Sequence, residues 1–330
     1  MLASLDDETV ASVFVVPDKH RHQLGDRADI RAFPMRGRGI RSVLAMFRLA
    51  LRTRRTELPD LIFLHSSLTL ALLPVLRMIR VKVPVLYCPH GWAASRYADH
   101  SAKQRCVRWI EGRLVALADR VVNVSKGERE LASQWGYRGQ HLVIENAVPD
   151  RPEFELQDRF TACSEGLDLL FVGRFDRQKG VDILLRAFAV LRQTRSDIRL
   201  HLIGEAVVAD RNMAQEKIDG VFVQGWVDLA EIDSWYASAD ALVVPSRWEG
   251  LPRVVPEALR NGTPVIVSNR SCMPDLIQDS VTGYSFPLDA QALAECLSGL
   301  TRADLARMRP ACRRAYLDRF TAARLKRELW

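Results

Sequence analysis

Two carboxylates, Glu249 and Glu257, are separated by seven residues around a proline-rich turn, and that spacing could hold a ligand carrying both hydroxyls and phosphate. The apolar run Ala241 to Val244 has the length and β-branching of a buried strand, and it breaks at Pro245-Ser246 into Arg247-Trp248-Glu249-Gly250-Leu251. Pro256 lacks an N–H and is tolerated only in a helix's first turn, so a helix is predicted to begin near Pro252 or Arg253. The amides of Arg253, Val254 and Val255 would then face the loop as an anion site. The same spacing also fits a capping carboxylate at Glu249 and a solvated helix residue at Glu257. A second group is the glycine-bounded basic loop Gly173-Arg174-Phe175-Asp176-Arg177-Gln178-Lys179-Gly180, which follows a strand pattern. Arginine and lysine in a loop are ordinarily solvated, whereas at the end of a strand and between glycines they can meet an anion. His90, in Pro89-His90-Gly91-Trp92, fits either a turn residue or a ligand contact, and His65 at another strand end reads as structural.

The elements that must position these residues alternate in type. In the first half, strands are predicted at Val10–Val16, Asp60–Leu64, Val83–Cys88, Arg120–Val124 and Leu142–Ile144. Helices are predicted over Ile40–Arg55, Ser67–Ile79, Ser101–Ala118 and onward from Ser125. Residues 149–166 hold two prolines and little periodicity and read as a linker. The rhythm then restarts with strands Asp168–Val172, Ile198–Ile203 and Val221–Val223 and helices Val181–Thr194 and Leu229–Ala237. The Ala241–Ser268 unit follows, ending at the helix stop Asn261-Gly262 and the strand Val265–Ser268. A helical pattern runs from Ala290 to the end. Strands alternating with helices in both halves imply two parallel-sheet domains.

Composition narrows the class. A chain of 330 residues that is 48% hydrophobic and 26% charged has the balance of a globular protein of two domains. Its six cysteines, at 88, 106, 163, 272, 296 and 312, form no CxxC and no metal-ligand spacing, and read as small core residues in a reducing compartment. The acidic start, Met-Leu-Ala-Ser-Leu-Asp-Asp-Glu, has no apolar run and does not read as a signal peptide. Leu61–Ile79 is the most apolar stretch, but Pro74 and Arg77 interrupt it, which favours a strand and a buried helix over a membrane span. The net charge of +7 is unevenly spread: residues 1–150 hold 23 Lys and Arg against 15 Asp and Glu, and residues 151–330 hold 24 against 25. Nine arginines stand between Arg27 and Arg55 against Asp29 alone. In the predicted Ile40–Arg55 helix, Ile40, Val43, Leu44, Phe47 and Leu51 recur at helical spacing among arginines. That helix fits a surface helix with a solvated basic face, or one that meets an anionic membrane, where each Lys or Arg contributes about 1 kcal/mol. No aromatic platform is interleaved with the charge, so nucleic acid is not the expected partner.

Together, Val172-Gly173-Arg174-Phe175, Lys179-Gly180, Glu249-Gly250-Leu251-Pro252 and Glu257-Ala258 resemble the retaining family-4 glycosyltransferases of the GT-B fold, and phrases from His65 to Asp289 fit that pattern. The resemblance implies an α/β chain of two Rossmann-like domains facing a central cleft. The acceptor-side domain would span residues 1–150, a linker 151–166, the nucleotide-sugar domain 167–310 and a C-terminal helix 311–330. It implies that Arg174 and Lys179 bind the donor diphosphate and stabilise its departing charge, as preorganised cations do. Glu257 would accept hydrogen bonds from the ribose diol, Glu249 would face the transferred sugar, and His90 would face it from the other domain. Gly173, Gly250, Leu251, Arg253 and Val254 would line sugar and phosphate, while Pro252 in that row cannot donate. Gly204-Glu205 and Gly225-Trp226-Val227 would border the nucleobase, unless Trp226 is core.

The implied reaction moves a sugar from a UDP- or GDP-type donor to a hydroxyl acceptor with retention, using no cofactor and no metal. The basic first half then suggests a glycan or lipid-linked acceptor in polysaccharide or lipopolysaccharide assembly, and a cytoplasmic protein peripheral at the inner face of the membrane. Family members open with a strand and a glycine-rich loop before the segment resembled by Val10–Val16. The lack of that opening here fits a truncated start, a short variant or an inactive relative. The alternatives are therefore a donor-binding subunit without turnover and a GT-B-like sugar-nucleotide epimerase.

Overall fold

The computed structural model describes residues 11–18, 20–21, 29–35, 40–151, 157–160, 166–206 and 218–329. Two compact units emerge. The first takes in the described residues up to Asn123 together with Leu131–Val143, and the second takes in Val124–Glu130 and the described residues from Ile144 onward.

In the first unit, β1 (Phe14–Pro17) and β2 (Ile30–Phe33) form a parallel pair against which α1 (Ile40–Glu57) packs. Sequence reading placed β1 slightly early and missed β2. That short strand lies in the arginine-rich stretch, buries Ile30 and Phe33 at its ends, and pairs Arg31 with Glu57 at 3.1 Å. On α1 the buried face centres on Ser42 and Met46, whereas Leu44 of the predicted apolar stripe is exposed. A parallel sheet of order β3-β4-β5-β6 follows, from β3 (Ile62–His65), β4 (Val85–Cys88), β5 (Arg120–Asn123) and β6 (His141–Val143). It is connected by α2 (Leu72–Met78), preceded by a 3₁₀ turn at Thr69–Ala71, by α3 (Ala102–Val115) and by α4 (Lys126–Gln134), whose residues up to Glu130 are counted with the second unit. Leu73, Val85, Tyr87, Trp92 and Val121 are almost fully buried in its core. The predicted cap at Ser125 is a reciprocal box: the Glu128 amide donates to the Ser125 hydroxyl and the Val124 amide to the Glu128 carboxylate.

The second unit carries β7 (Leu167–Val172), α5 (Val181–Leu191), β8 (Ile198–Ile203), β9 (Val221–Gly225) and α6 (Ile232–Ser238). It continues with β10 (Ala241–Val244), α7 (Val254–Arg260), β11 (Val265–Ser268), β12 (Gly283–Phe286), α8 (Ala290–Ser298), α9 (Arg302–Arg319) and α10 (Ala322–Leu329). All ladders are parallel, in the order β12-β11-β10-β7-β8-β9. Residues of β10 and β11 are buried throughout, the pattern of strands covered on both faces. The continuous helical pattern after Ala290 is three helices. The Asp289 carboxylate caps the first, and the Thr301 hydroxyl accepts from the Asp304 amide to start the second. Most of the predicted linker, 152–156 and 161–165, lies outside the described residues. Ile144–Asp150, assigned to the first domain from sequence, are held in the second unit by Glu145 with Arg319 (2.6 Å), Asp150 with Arg313 (2.7 Å) and the Val148 amide with the Phe320 carbonyl (3.0 Å). Among the described residues no helix is long and apolar enough to cross a membrane.

Candidate active site

In the second unit the chain enters the sheet at its middle, on β7, and adds strands first to one side and then to the other. β7 and β10 are therefore neighbours whose connections leave in opposite directions, and the loops at their C-terminal ends diverge around the place where open α/β sheets take ligands. The loop after β7 is Gly173–Gly180 and the loop after β10 is Pro245–Arg253, so the topology brings together the two groups singled out in the sequence. Gly180 adopts φ 71°, and a β-carbon there would overlap the Pro245 carbonyl oxygen, so the two loops touch through backbone that only glycine permits. The Arg247 amide donates to the Gln178 carbonyl at 2.8 Å, and the Arg247 guanidinium grips Asp182, in the first turn of α5, through two bonds of 2.7 Å. Burial alone would raise the Asp182 pKa, but the hydrogen bonds and charge of Arg247 outweigh it and hold the carboxyl below its ordinary range.

Lys179 Nζ lies 2.8 Å from Glu249 Oε1, with the two side chains 18% and 9% exposed. Gln178 donates to the Trp248 carbonyl at 3.1 Å and reaches the second Glu249 oxygen at 3.4 Å. Arg174 is more exposed and leans on Asp176 at 3.0 Å and Gln178 at 3.3 Å, while Asp176 also accepts from the Lys179 amide at 3.0 Å. Each cation is thus paired with a carboxylate, Lys179 with Glu249 and Arg174 with Asp176.

The helix tip contributes less than its sequence suggested. α7 begins at Val254 with Arg253 as its N-cap, as expected, but it has only seven residues, and the Val255 amide donates to the Pro252 carbonyl at 3.1 Å instead of facing the loop. Gly250 and Leu251 are buried, Val254 is half-buried, and Arg253 is exposed with its guanidinium 3.4 Å from Glu257. Glu257 also accepts from the Tyr236 hydroxyl at 3.1 Å. Burial pushes the Glu257 carboxyl above its ordinary value of 4.5, against the pull of Arg253 and Tyr236. A carboxyl raised in this way is protonated in both folded and unfolded chains at low pH. Its buried charge becomes unfavourable as pH rises past 4.5. Glu257→Gln is accordingly expected to leave thermal stability at pH 7 unchanged or higher while weakening nucleoside diphosphate binding about 10-fold or more, the worth of a hydrogen bond to a charged group. Calorimetric titration beside a melting curve checks both halves; lower stability with unaltered binding would count against the role.

The strand ends at the other side of β7 are laced together. The Gly173 amide donates to the Ile203 carbonyl (2.9 Å), the Phe175 amide to Glu205 (2.9 Å) and the Gly204 amide to Gly225 (2.8 Å). Gly173, Glu205 and Gly225 therefore share one edge, and Trp226 beside them is 52% exposed and not part of the core.

In the first unit, His65 and Cys88 are register partners across β3 and β4, and His90 follows two residues later at φ 51°. His65 Nδ1 lies 2.8 Å from His90 Nε2, and the rings stack at 5.1 Å. Burial, reinforced by the neighbouring ring, lowers the His65 pKa to about 3, and burial lowers that of His90 to about 4, so both are neutral at pH 7. His65, read as structural, is thus in direct contact with the histidine singled out for chemistry. Sequence reasoning also missed Gln178, Asp182, Arg247 and Tyr236. Tyr236 is 21 residues from Glu257 and meets it only because α6 packs on α7, so no local spacing announces the pair.

Similarity to known proteins agrees with this geometry. Residues 166–302 match the family described as "Glycosyl transferases group 1", and residues 1–147 match "Glycosyl transferase 4-like domain". A Klebsiella pneumoniae protein described as "Uncharacterized 41.2 kDa protein in cps region" is 31% identical over 303 residues, covering 87% of this chain and 82% of that one. Among solved structures, sucrose-phosphate synthase from Thermosynechococcus elongatus is similar with a TM-score of 0.75 at 22% identity, over 88% of this chain and 76% of that chain. Anabaena HepE, solved in complex with UDP and glucose, is similar with a TM-score of 0.71 at 19% identity, over 91% and 84%. With both loops, their sheet and these matches agreeing, the chain belongs to the group 1, family-4-like glycosyltransferases and is a transferase of the GT-B fold.

Proposed function

We propose that the chain transfers a sugar with retention from a nucleoside diphosphate donor to the hydroxyl of a lipid-linked glycan acceptor. The observation that carries this reading is the Lys179–Glu249 pair at 2.8 Å, built from the two loops that leave β7 and β10. A diphosphate arriving at these loops offers Lys179 and Arg174 a stronger anion than the single carboxylates they hold. Glu249, once released, accepts hydrogen bonds from sugar hydroxyls, and Glu257 takes the ribose diol. In transfer, the bond from the anomeric carbon to the diphosphate oxygen breaks and a bond to the acceptor oxygen forms on the same face. The acceptor's proton passes to the departing phosphate oxygen, and Lys179 and Arg174 stabilise charge where it accumulates. By the family resemblance, Gly173, Gly250, Leu251, Arg253 and Val254 border the donor and His90 contacts the transferred sugar. These side chains perform the neutralising role a divalent ion has in other transferases, so chelators are expected to leave the rate unchanged. A UDP-sugar is the first donor to test, because the similar Anabaena protein was solved with UDP-glucose.

The decisive assay incubates the purified chain with radiolabelled UDP- and GDP-sugars, with and without a membrane extract as acceptor source. Label moving into the lipid fraction only when extract and donor are both present supports the proposal. A donor epimerised or left intact under every condition sinks it.

Charge supports the proposed location of the acceptor. The excess of basic residues lies in the first half, and α3 exposes Trp109 and Ile110, with Arg113 over the Trp109 ring at 5.4 Å. An amphipathic ring beside cations suits the headgroup layer of an anionic membrane at the cytoplasmic face. In vesicle sedimentation, binding is expected to be stronger to anionic than to neutral lipid and to weaken with salt; equal, salt-indifferent binding would refute a charged-surface role.

A further inference from the structure

The cluster His65, Cys88 and His90 has a chemistry the transfer reaction does not use. β3 and β4 are parallel neighbours, and their register sets His65 beside Cys88. Paired residues of neighbouring strands project to one face, and the left-handed turn at His90 (φ 51°) just beyond β4 brings its ring against His65. One ligand atom from each of the three residues lies within 4.8 Å of the other two. In a tetrahedral zinc site with bonds of about 2.0–2.3 Å, neighbouring ligand atoms stand roughly 3.3–3.7 Å apart. Bringing this cluster to that shape requires the histidine nitrogens, now at 2.8 Å, to part by about half an ångström, and the sulfur to move in by at most about an ångström.

His65 Nδ1, the nitrogen that faces His90, is the atom offered to the cluster, while Nε2 on the opposite side of the ring is buried without a hydrogen-bond partner. One thiolate and two imidazoles form a soft to borderline donor set, and three ligands leave a fourth position open. The cluster escapes sequence inspection because its ligands come from two strands and lie 23 and 2 residues apart.

We propose that His65, Cys88 and His90 form a binding site for a thiophilic divalent ion of the zinc class, and that loading it withdraws His90 and slows transfer. The inhibitory half rests on the role given to His90 above; the site itself does not. The test titrates the intact chain with Co²⁺, whose thiolate complexes absorb in the near ultraviolet. A charge-transfer band that saturates with one equivalent, is displaced by Zn²⁺, and persists in Cys106→Ser but vanishes in both Cys88→Ser and Cys88→Ala is the expected result. Zinc affinity should fall at least 100-fold in the Cys88 variants, beyond the 10–100-fold typical of losing an outer partner of a ligand. A melting curve for each variant in the absence of metal confirms folding, and His65→Gln supplies a second loss of affinity if either fails to fold. No band, or one that survives the Cys88 and His65 changes, overturns the site. Zinc should also slow transfer by the wild type and spare Cys88→Ser. If wild type binds cobalt and transfers equally well with zinc, the inhibitory half is overturned. If no preparation transfers sugar, the functional proposal fails and the absorbance alone decides the site.

Discussion

Lys179→Ala is expected to reduce sugar transfer by about 10²–10³-fold, the loss found when one preorganised stabiliser of developing charge is removed. Its effect should be larger than that of Arg174→Ala, for which at least a tenfold loss is expected. Lys179 is mostly buried and is bonded to a carboxylate that is itself 9% exposed, whereas Arg174 is half-exposed and shared between Asp176 and Gln178. Removing the ammonium also leaves Glu249 without its cation at the mouth of the loop, where it would repel an incoming diphosphate. The companion change separates the two effects. Glu249→Gln keeps the ammonium, removes the competing charge, and should bind nucleoside diphosphate as well as the wild type or more tightly, yet transfer at least tenfold more slowly. Titration calorimetry with UDP beside initial rates distinguishes the pair. Unchanged turnover in Lys179→Ala, or parallel loss of UDP binding in both variants, would overturn the assignment.

Asp233→Ala carries the largest expected cost in stability. Asp233, on α6, is 1% exposed and accepts from Arg260 on α7, itself 5% exposed, as well as from Asn261 at 2.8 Å and Arg151 at 3.4 Å. Truncating the carboxylate strands a guanidinium in the interior, which costs about 3–5 kcal/mol. For a unit of this size that corresponds to a fall of about 6–20 °C in the melting temperature of its transition. Asp233→Asn keeps an acceptor and should lose less. Because α6 also carries Tyr236 against Glu257, the alanine variant should weaken donor binding even below its melting temperature. A change under about 1 kcal/mol in urea unfolding would show that Arg260 is satisfied by the Pro149 carbonyl at 2.6 Å alone.

Much of the second unit was legible before any coordinates. β8, β10 and β11 lie where their apolar runs placed them, because buried parallel strands are continuous in hydrophobicity and abruptly bounded. Pro256 located the start of α7 for the same local reason, since a residue without an N–H admits few positions. What stayed hidden depends on sheet order. β12 opens on Gly283, whose added β-carbon would overlap the Val265 carbonyl oxygen, and a strand that begins with glycine for close approach has little apolar signature. β2 was obscured by Arg31, whose charge is met by Glu57 from the far end of α1. The same limit applies at the site. Arg174, Lys179, Glu249 and Glu257 stood out by type and spacing, but the pairing of Lys179 with Glu249 across 70 residues is a product of β7 lying beside β10.

The glycine seams have an engineering consequence. Gly180 rests on Pro245 and Gly204 on Gly173, so neither loop can grow, shrink or shift without opening the layer beneath it. A library aimed at new donors would waste its diversity there. Under the proposed donor site, randomisation at Glu205 and Trp226, which border the same edge, is expected to keep the pairing of Lys179 with Glu249 while varying the donor that binds.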